Sequence, residues 1–268
     1  MDKLRKTKKM TLPIHKYYSL NGQLQPTSDF TASEDEGGIY EVIRIIKGIP
    51  LFWEEHIKRF SRSAEIATTT LPFQPDEIKA IVNSLVTKNQ TETGNVMLSW
   101  KSDFKAFFIP HHYPAPAEYR EGVTCGILFA ERKNPNAKIF QTQVRRRANK
   151  ILSEQKLYEV LLTDNTRNIT EGSRSNVFFI RNEKLITPLP DQVLLGVTRQ
   201  KTIECAQALK INIEERKVAL SELPLFDSVF ITGTSPNILP VKNIGENQYD
   251  VNHPLLRKLM FQFEKMHW

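Results

Sequence analysis

Short strand-like segments and helix-like segments follow one another along the whole chain, and this alternation is the feature that most constrains the fold. Ile39–Ile46 is rich in β-branched residues and is typical of a strand, whereas from Trp53 onwards apolar residues recur at spacings of three and four, as on one face of a helix. The sequence contains no internal repeat and no low-complexity tract. Such interspersion predicts an α+β or mixed α/β protein and disfavours a doubly wound nucleotide fold.

The N-terminal half is predicted to contain one sheet and two helices. An Asn21–Gly22 turn joins two short strands between residues 17 and 28. The second helix is predicted from Asp76 to Lys88. The proline just before it is typical of the first turn of a helix and supports this start. The remaining predicted strands, which we expect to complete an antiparallel sheet with Ile39–Ile46, are Val96–Trp100, Ala106–Ile109 and Val123–Ala130.

The segment YPAPAEY, residues 113–119, contains two prolines and no regular period, so we interpret it as a linker. It separates an N-terminal α/β domain, residues 17–112, from a C-terminal domain, residues 120–268, and residues 1–16 form a basic extension before both. The predicted helices of the C-terminal half are Ile139 to Lys156, Thr198–Leu209 and Pro254–Met266. Its predicted strands are Glu159–Thr163, Val177–Ile180, Lys184–Thr187 and Asp227–Ile231.

The positive net charge is concentrated at the N-terminus. Residues 1–10 carry five Lys or Arg against Asp2, a balance of +4 out of the total of +7. A second cluster, Arg145–Arg147 with Lys150, is interpreted as the exposed face of a helix. No helix-turn-helix, zinc-finger or RNA-binding signature accompanies either cluster, so nucleic acid is not expected as a partner.

Hydropathy and cysteine usage predict a cytoplasmic protein. No window approaches 18 consecutive apolar residues, so we expect no membrane span. The short basic terminus lacks the apolar run of a secretory signal. Cys125 and Cys205 lie in apolar settings without any metal-ligand spacing, so we interpret them as reduced core residues and expect no metal site.

Three separated stretches suit an anionic ligand. Arg59, in EEHIKRFSRSAE, offers the planar fork of donors that matches phosphate, although a surface arginine is the alternative. LLGVTRQ begins a helix at Thr198, whose free N–H groups suit an anion unless Thr198 simply caps the helix. The turn in ITGTSPNILP, which contains Thr234, can also cradle an anion, or can be a plain polar turn.

A fourth stretch, NITEGSRSNVFFI, places Glu171 just before a buried strand. The carboxylate can be solvated in a hairpin loop, or it can face a positively charged partner. Lysines upstream are candidate nucleophiles, which need partial burial and a neutral amine. Lys138 lies near a strand-to-helix connection, whereas Lys150 lies in a helix among arginines, so Lys138 is the better candidate.

Together these stretches resemble the class IV aminotransferase family, the pyridoxal phosphate (PLP) enzymes of fold type IV. The family includes branched-chain and D-amino acid aminotransferases and 4-amino-4-deoxychorismate lyase. The resemblance covers roughly residues 17–245, from GGIYEVIRIIKGIPLFWEEHIKRF through ITEGSRSNVFFI and LLGVTRQ to GTSPNILPV, in the family's order and at similar spacings. It implies a two-domain fold like that of D-amino acid aminotransferase, with PLP at the domain interface, assembled as a homodimer.

The resemblance also implies roles for matching residues. Lys138, 33 residues before Glu171, corresponds to the lysine that forms the internal aldimine with PLP. Glu171 corresponds to the carboxylate that faces the pyridine nitrogen and keeps it protonated. The residues that correspond to the phosphate-binding set are Arg59, Val197, Thr198 and Thr234.

Two features depart from the family pattern. Branched-chain members carry a tyrosine five residues after the lysine, where this chain has Gln143. No arginine for the substrate carboxylate can be assigned, although Tyr40, Arg44 and the pair His111–His112 are candidate lining residues.

These observations leave three functions open. The first is an aminotransferase that acts on an amino acid. The second is a lyase that eliminates pyruvate from aminodeoxychorismate to give p-aminobenzoate, which the missing tyrosine and the short chain favour. The third is a non-catalytic binding protein that retains the fold.

Overall fold

The computed structural model describes residues 12–31 and 37–267. Most of the predicted basic extension, residues 1–11, therefore lies outside the described residues. The six strands of the first sheet are β1 (Tyr17–Leu20), β2 (Gln23–Pro26), β3 (Ile39–Ile46), β4 (Ile49–Pro50), β5 (Thr93–Trp100) and β6 (Phe104–Ile109). They are ordered β2-β1-β6-β5-β3-β4, and every pairing is antiparallel.

Two helices cover one face of this sheet: α1 (Trp53–Ile66) and α2 (Pro75–Asn89). The spacing of three and four predicted for the first helix is real, because Ile57, Phe60 and Ala64 all point into the core between helix and sheet. Phe60 is fully buried there. Burial of such a side chain contributes roughly 2–3 kcal/mol, so this apolar stripe fixes α1 against β3.

The second sheet contains ten strands from the rest of the chain. They are β7 (Val123–Phe129), β8 (Glu159–Thr163), β9 (Asn168–Gly172), β10 (Asn176–Arg181), β11 (Lys184–Thr187), β12 (Ile213–Glu215), β13 (Val218–Ala219), β14 (Ser228–Gly233), β15 (Asn237–Ile244) and β16 (Asn247–Gln248). Nine follow the order β12-β11-β10-β14-β15-β7-β8-β9-β13, and β16 pairs with β15. The sheet is mixed, because β7 runs parallel to both β8 and β15 and β11 runs parallel to β12.

Four helices accompany this sheet: α3 (Pro116–Glu121), α4 (Thr142–Gln155), α5 (Val197–Ala208) and α6 (Pro254–Glu264). The run Val177–Ile180 in β10 is apolar throughout because both faces of the sheet are covered. Phe178 and Ile180 pack with residues of α5 and α6, whereas Val177 and Phe179 pack into a separate core on the other face. None of the helices in the described ranges is long and apolar enough to cross a membrane.

Three sequence predictions are wrong in detail. Val123–Ala130 does not complete the first sheet, because its main part, β7, finds parallel partners in the second. The segment interpreted as a linker, residues 113–119, is not irregular throughout. Its second half belongs to α3, residues 116–121, with Pro116 in the first turn of the helix. The helix predicted from Ile139 begins only at Thr142, because Ile139 pairs with Ile39 of β3 instead. The domain boundaries themselves stay a prediction.

Candidate active site

A cleft of about 580 Å³ is lined by residues of both sheets, which is the size and position common for a small-molecule site. The structure brings most of the sequence-predicted site residues into its wall: Tyr40, Arg59, Lys138, Glu171, Val197, Thr198 and Thr234. The two histidines considered as lining residues, His111 and His112, also line it. Residues far apart in sequence therefore share one cavity.

Lys138 is held against the first sheet by backbone pairing. Its carbonyl accepts a hydrogen bond from the Tyr40 amide at 2.9 Å, and its own amide donates to Ser63 Oγ of α1 at 3.0 Å. The Lys138 Nζ lies 4.8 Å from the centroid of the Tyr40 ring. Burial lowers the pKa of Lys138 and the Arg59 guanidinium acts in the same direction, which together outweigh the opposing charges of Tyr40 and Glu41. A lowered pKa favours the neutral amine that a nucleophile or base requires.

Glu171 lies in β9 and is 3 % exposed, so the interpretation as a solvated loop residue is wrong. One carboxylate oxygen accepts from Arg132 Nη1 at 3.0 Å, and the other accepts from the Leu194 amide at 3.1 Å. Burial raises the pKa of Glu171, although the charge of Arg132 opposes this effect. The carboxylate thus already faces one cation and lines the cleft. Arg132 was missed from the sequence, where its position six residues before Lys138 was the available signal.

The N-terminus of α5 lies at one end of the cleft. Gly196 precedes the helix in an extended conformation, and no side chain within the described ranges caps the helix, so the alternative that Thr198 is the cap is wrong. A Cβ on Gly196 would lie 2.1 Å from Asn176 Oδ1, so glycine is required for this close approach. Uncapped N–H groups and the positive end of the helix dipole favour an anion here.

Arg59 is 8 % exposed and is not a surface arginine. Its Nε and Nη2 donate to the two oxygens of Glu41 at 2.8 and 2.6 Å, and Nη1 lies 3.5 Å from the carbonyl oxygen of Leu195, next to the start of α5. His56 Nδ1 lies 3.2 Å from Glu41. Burial alone would raise the pKa of Glu41, but Arg59 and His56 outweigh it and lower that pKa. Glu41, which was missed from the sequence, therefore fixes the plane of the guanidinium beside α5.

Tyr40 is stacked on Phe140, with ring centroids 4.2 Å apart, and its hydroxyl accepts from Arg145 Nη2 at 3.2 Å. Arg145 is half-buried and lines the cleft, so its interpretation as part of an exposed helix face is wrong, whereas Arg146 and Arg147 are exposed as predicted. Gln143, in the position of the family's tyrosine, is exposed.

Arg44 does not line the cleft. Its guanidinium carbon lies 4.1 Å from the centroid of the Tyr113 ring, and Nη1 is 3.4 Å from Asn237 Oδ1. Because side chains alternate along a strand, Tyr40 and Arg44 lie on the same face of β3. The cleft extends along only part of that face and does not reach Arg44.

The residues present fit PLP. Its phosphate matches the uncapped N-terminus of α5 with Arg59 beside it, its pyridine nitrogen matches a buried carboxylate, and its carbonyl matches a lysine of lowered pKa.

Comparison with known proteins agrees with this geometry. The sequence profile of amino-transferase class IV matches residues 38–244. The D-alanine aminotransferase of Bacillus licheniformis is 30 % identical over 253 residues, which cover 84 % of this chain and 87 % of that protein.

Two solved structures share the fold. The Escherichia coli branched-chain amino acid aminotransferase superposes with a TM-score of 0.85, at 20 % identity and 95 % coverage of both chains. A putative 4-amino-4-deoxychorismate lyase from Legionella pneumophila superposes with a TM-score of 0.76, at 21 % identity, and covers 89 % of this chain and 97 % of its own. The match of the class IV profile over most of the chain, together with the shared fold type IV architecture, shows that this protein belongs to the class IV aminotransferase family of PLP-dependent enzymes.

Proposed function

We propose that this protein is an aminotransferase that acts on an amino acid, with PLP held covalently by Lys138. The observation that carries the proposal is the position of the Lys138 amine, in one cleft with Glu171 and the N-terminus of α5. When bound, PLP supplies an electron sink for the bond that breaks at the α-carbon of the substrate.

The remaining residues would hold the cofactor. Arg59, the first amides of α5 at Val197 and Thr198, the Thr198 hydroxyl and Thr234 would bind the phosphate. Glu171 would accept a hydrogen bond from the protonated pyridine nitrogen, and its own contact with Arg132 keeps the carboxylate in place.

Lys138 would also move the proton. Burial lowers its pKa, which favours the neutral amine, and once the substrate amine has displaced it this amine would take the proton from the substrate α-carbon and return it to an adjacent carbon. Tyr40, whose ring centroid lies 4.8 Å from the amine, would orient this group. Side chains of both sheets line the cleft that contains the amine.

The lyase is the second candidate function. The observation that favours it is the exposure of Gln143, which leaves the position of the family's tyrosine outside the cleft. In that reaction Lys138 would pass its proton to the leaving pyruvate enolate rather than back to carbon. The two functions therefore use the same lysine and differ in where its proton goes.

The family also supports a proposed assembly and location. We propose a homodimer in the cytoplasm, where the two buried thiols, Cys125 and Cys205, stay reduced. Light scattering of the purified protein measures the assembly directly.

The test of Lys138 is borohydride reduction of the PLP-loaded protein, followed by peptide mapping of the pyridoxyl adduct. We expect the adduct on Lys138 and none in Lys138→Ala. Lys150→Ala is the matched control, because Lys150 is exposed on α4 and should leave labelling unchanged. An adduct on Lys150, or no adduct in the wild-type protein, contradicts the proposal.

Product analysis separates the two reactions. An aminotransferase converts an amino acid and a keto acid into the exchanged pair, and releases no p-aminobenzoate from aminodeoxychorismate. Release of p-aminobenzoate and pyruvate without a keto-acid acceptor would instead establish the lyase.

A further inference from the structure

Ser63 of α1 is fully buried and makes hydrogen bonds toward two residues of the cleft. Its hydroxyl donates to the carbonyl oxygen of Arg59, one helical turn earlier, at 2.9 Å. The same oxygen accepts a hydrogen bond from the backbone amide of Lys138 at 3.0 Å. A serine hydroxyl has one donor and two acceptor sites, so it can fill both roles at once. One hydroxyl therefore joins the helix that carries Arg59 to the residue that carries the amine.

The helix itself does not require a serine at position 63. A hydroxyl that bonds back to the carbonyl four residues earlier slightly destabilises a helix. Alanine has the highest helix propensity and would place no polar atom in this buried position. The contact that gives the hydroxyl a use is therefore the second one, to an amide 75 residues further along the chain.

The Lys138 backbone lies in the connection between β7 and α4 and depends on contacts with other elements. Its carbonyl accepts from the Tyr40 amide at 2.9 Å. Two residues earlier, Asn136 Nδ2 donates to two carbonyls of the 190–193 segment at 2.8 and 2.7 Å. The Ser63 hydroxyl holds the remaining side, the amide. Without it, this half-buried N–H group loses its partner, and the chain must shift to find another.

The position of the Lys138 amine decides how readily it bonds PLP. The neutral amine attacks the aldehyde carbon of PLP, which forms a C=N bond and releases the aldehyde oxygen as water. Reacting atoms must approach to about 3–3.5 Å, and a displacement of about 1 Å can slow such a step roughly 100-fold. Arg59 would hold the phosphate at one end of the cofactor, while Ser63, on the same helix, holds the backbone of the lysine that bonds the other end.

We propose that Ser63 is a positioning residue, which sets the distance between the Lys138 amine and the phosphate end of the cleft and thereby favours the covalent bond to PLP. Ser63 does not line the cleft, so it acts through the Lys138 backbone and contributes little to holding the ring and phosphate. The inference rests on the proposed function, because it takes Lys138 as the lysine that bonds PLP.

The test compares the binding of PLP with that of pyridoxamine phosphate, measured by fluorescence titration of the cofactor-free protein. Pyridoxamine phosphate has the same ring and phosphate but an amine in place of the aldehyde, so it forms no covalent bond with a lysine. In Ser63→Ala we expect PLP affinity to fall roughly 5- to 50-fold. The affinity for pyridoxamine phosphate should stay within twofold of the wild type, because Arg59 and the start of α5 are unchanged.

Two further substitutions at position 63 separate the hydrogen bond from packing. Ser63→Cys keeps nearly the same shape but has a weakly hydrogen-bonding sulfur, so it should lose PLP affinity as Ser63→Ala does. Ser63→Thr keeps the hydroxyl and should bind PLP within a few-fold of the wild type. Ser61→Ala, the matched control, removes a half-buried hydroxyl from the same helix and should leave both affinities unchanged.

Amide hydrogen exchange reads out the same contact without any cofactor. The Lys138 amide should exchange at least tenfold faster in Ser63→Ala and Ser63→Cys than in the wild type, because its hydrogen-bond acceptor is lost or weakened. Thermal melting of each variant checks folding.

Three results overturn the inference: PLP affinity of Ser63→Ala within twofold of the wild type, equal losses of PLP and pyridoxamine phosphate affinity, or wild-type PLP affinity in Ser63→Cys. Borohydride labelling separates these failures from failure of the proposed function. Absent labelling of Lys138 in the wild-type protein contradicts the proposed function, whereas normal labelling with unchanged PLP affinity in Ser63→Ala contradicts only the role of Ser63.

Discussion

Several neighbouring charges act together on the pKa of Tyr40 in the cleft. Burial alone would raise the pKa of its phenol, but the positive charges of Lys138, Arg145 and Arg132 outweigh this effect and lower the pKa to about 7. The phenol is therefore expected to ionise at a much lower pH than an ordinary tyrosine, next to an amine whose pKa is also lowered. A small change in charge nearby shifts a proton on or off Tyr40.

We predict that Arg145→Gln raises the pKa of Tyr40 from about 7 toward its ordinary value near 10, because loss of a positive charge disfavours the phenolate. Difference absorbance of tyrosinate, measured against pH on the cofactor-free protein, reports this change. One tyrosine that titrates near 7 will stand out, because burial raises the pKa of five others: Tyr18, Tyr113, Tyr119, Tyr158 and Tyr249.

Tyr40→Phe identifies the transition, since the titration near 7 should vanish in that variant. An Arg145→Gln protein with an unchanged transition near 7 would show that Arg145 does not act on this phenol.

At the scale of elements, the start of α5 depends on the absence of a side chain at Gly196. A Cβ atom added to Gly196 would lie 2.1 Å from Asn176 Oδ1 of β10. The side-chain nitrogen of the same asparagine, Nδ2, donates a hydrogen bond to the Leu194 carbonyl at 2.8 Å. β10 and the turn before α5 are thus in direct contact. This contact sets where the free amides of the helix point.

Gly196→Ala is predicted to weaken PLP binding at least tenfold and to lower the free energy of unfolding by about 1–3 kcal/mol, because the added methyl group must displace either the helix start or β10. Fluorescence titration with PLP and urea denaturation measure the two effects.

The double variant Gly196→Ala with Asn176→Ala is the control, because it removes the oxygen that the new methyl group meets. It should recover part of the PLP affinity although it loses the hydrogen bond to Leu194. Wild-type affinity in Gly196→Ala alone would show that the close approach does not position the helix for the cofactor.

At the scale of the whole molecule, a small polar network fastens the two sheets together beside the cleft. Asn95 of β5 donates to Ser235 Oγ at 2.9 Å and accepts from the Tyr113 hydroxyl at 2.9 Å. Arg44 of β3 lies over the Tyr113 ring and reaches Asn237 at the start of β15. The turn that carries Thr234 is therefore held by the first sheet.

We predict that Arg44→Met lowers the free energy of unfolding by about 1 kcal/mol, because it loses a cation–π contact and a hydrogen bond between the sheets. PLP affinity should also fall a few-fold, because the Thr234 turn loosens. Urea denaturation and calorimetry provide these values.

The opposite pattern would reverse the assignment of Arg44. Loss of turnover with unchanged unfolding free energy and unchanged PLP affinity would mean that Arg44 acts on the substrate, as the sequence suggested, rather than on the contact between the sheets.

The elements that depend on local pattern were predictable from the sequence. The apolar spacing in α1, the proline at the start of α2 and the apolar run of β10 all depend on neighbours a few residues away. The order of the family's motifs along the chain likewise identifies the family. Residue roles at the site, such as those of Lys138 and Glu171, stay proposals that the experiments above address.

Partners that are distant in sequence had to come from the tertiary structure. Local pattern marks Val123–Phe129 as a strand but cannot say that it pairs parallel with β8, because register and partner depend on the whole sheet. The same limit hid the pairing of Ile39 with Ile139, which shortens α4 and places Lys138 beside Tyr40.

The sequence by itself determined the α+β class, most helices and strands, the family and the residue types that suit PLP. Only the tertiary structure decided that Glu171 is buried against Arg132, that Arg44 lies outside the cleft against Tyr113 and that Arg145, read as an exposed charge, reaches Tyr40. The physical reason is range: secondary structure and motifs follow from contacts within a few residues, whereas burial and charge pairing depend on what the folded chain places opposite each side chain.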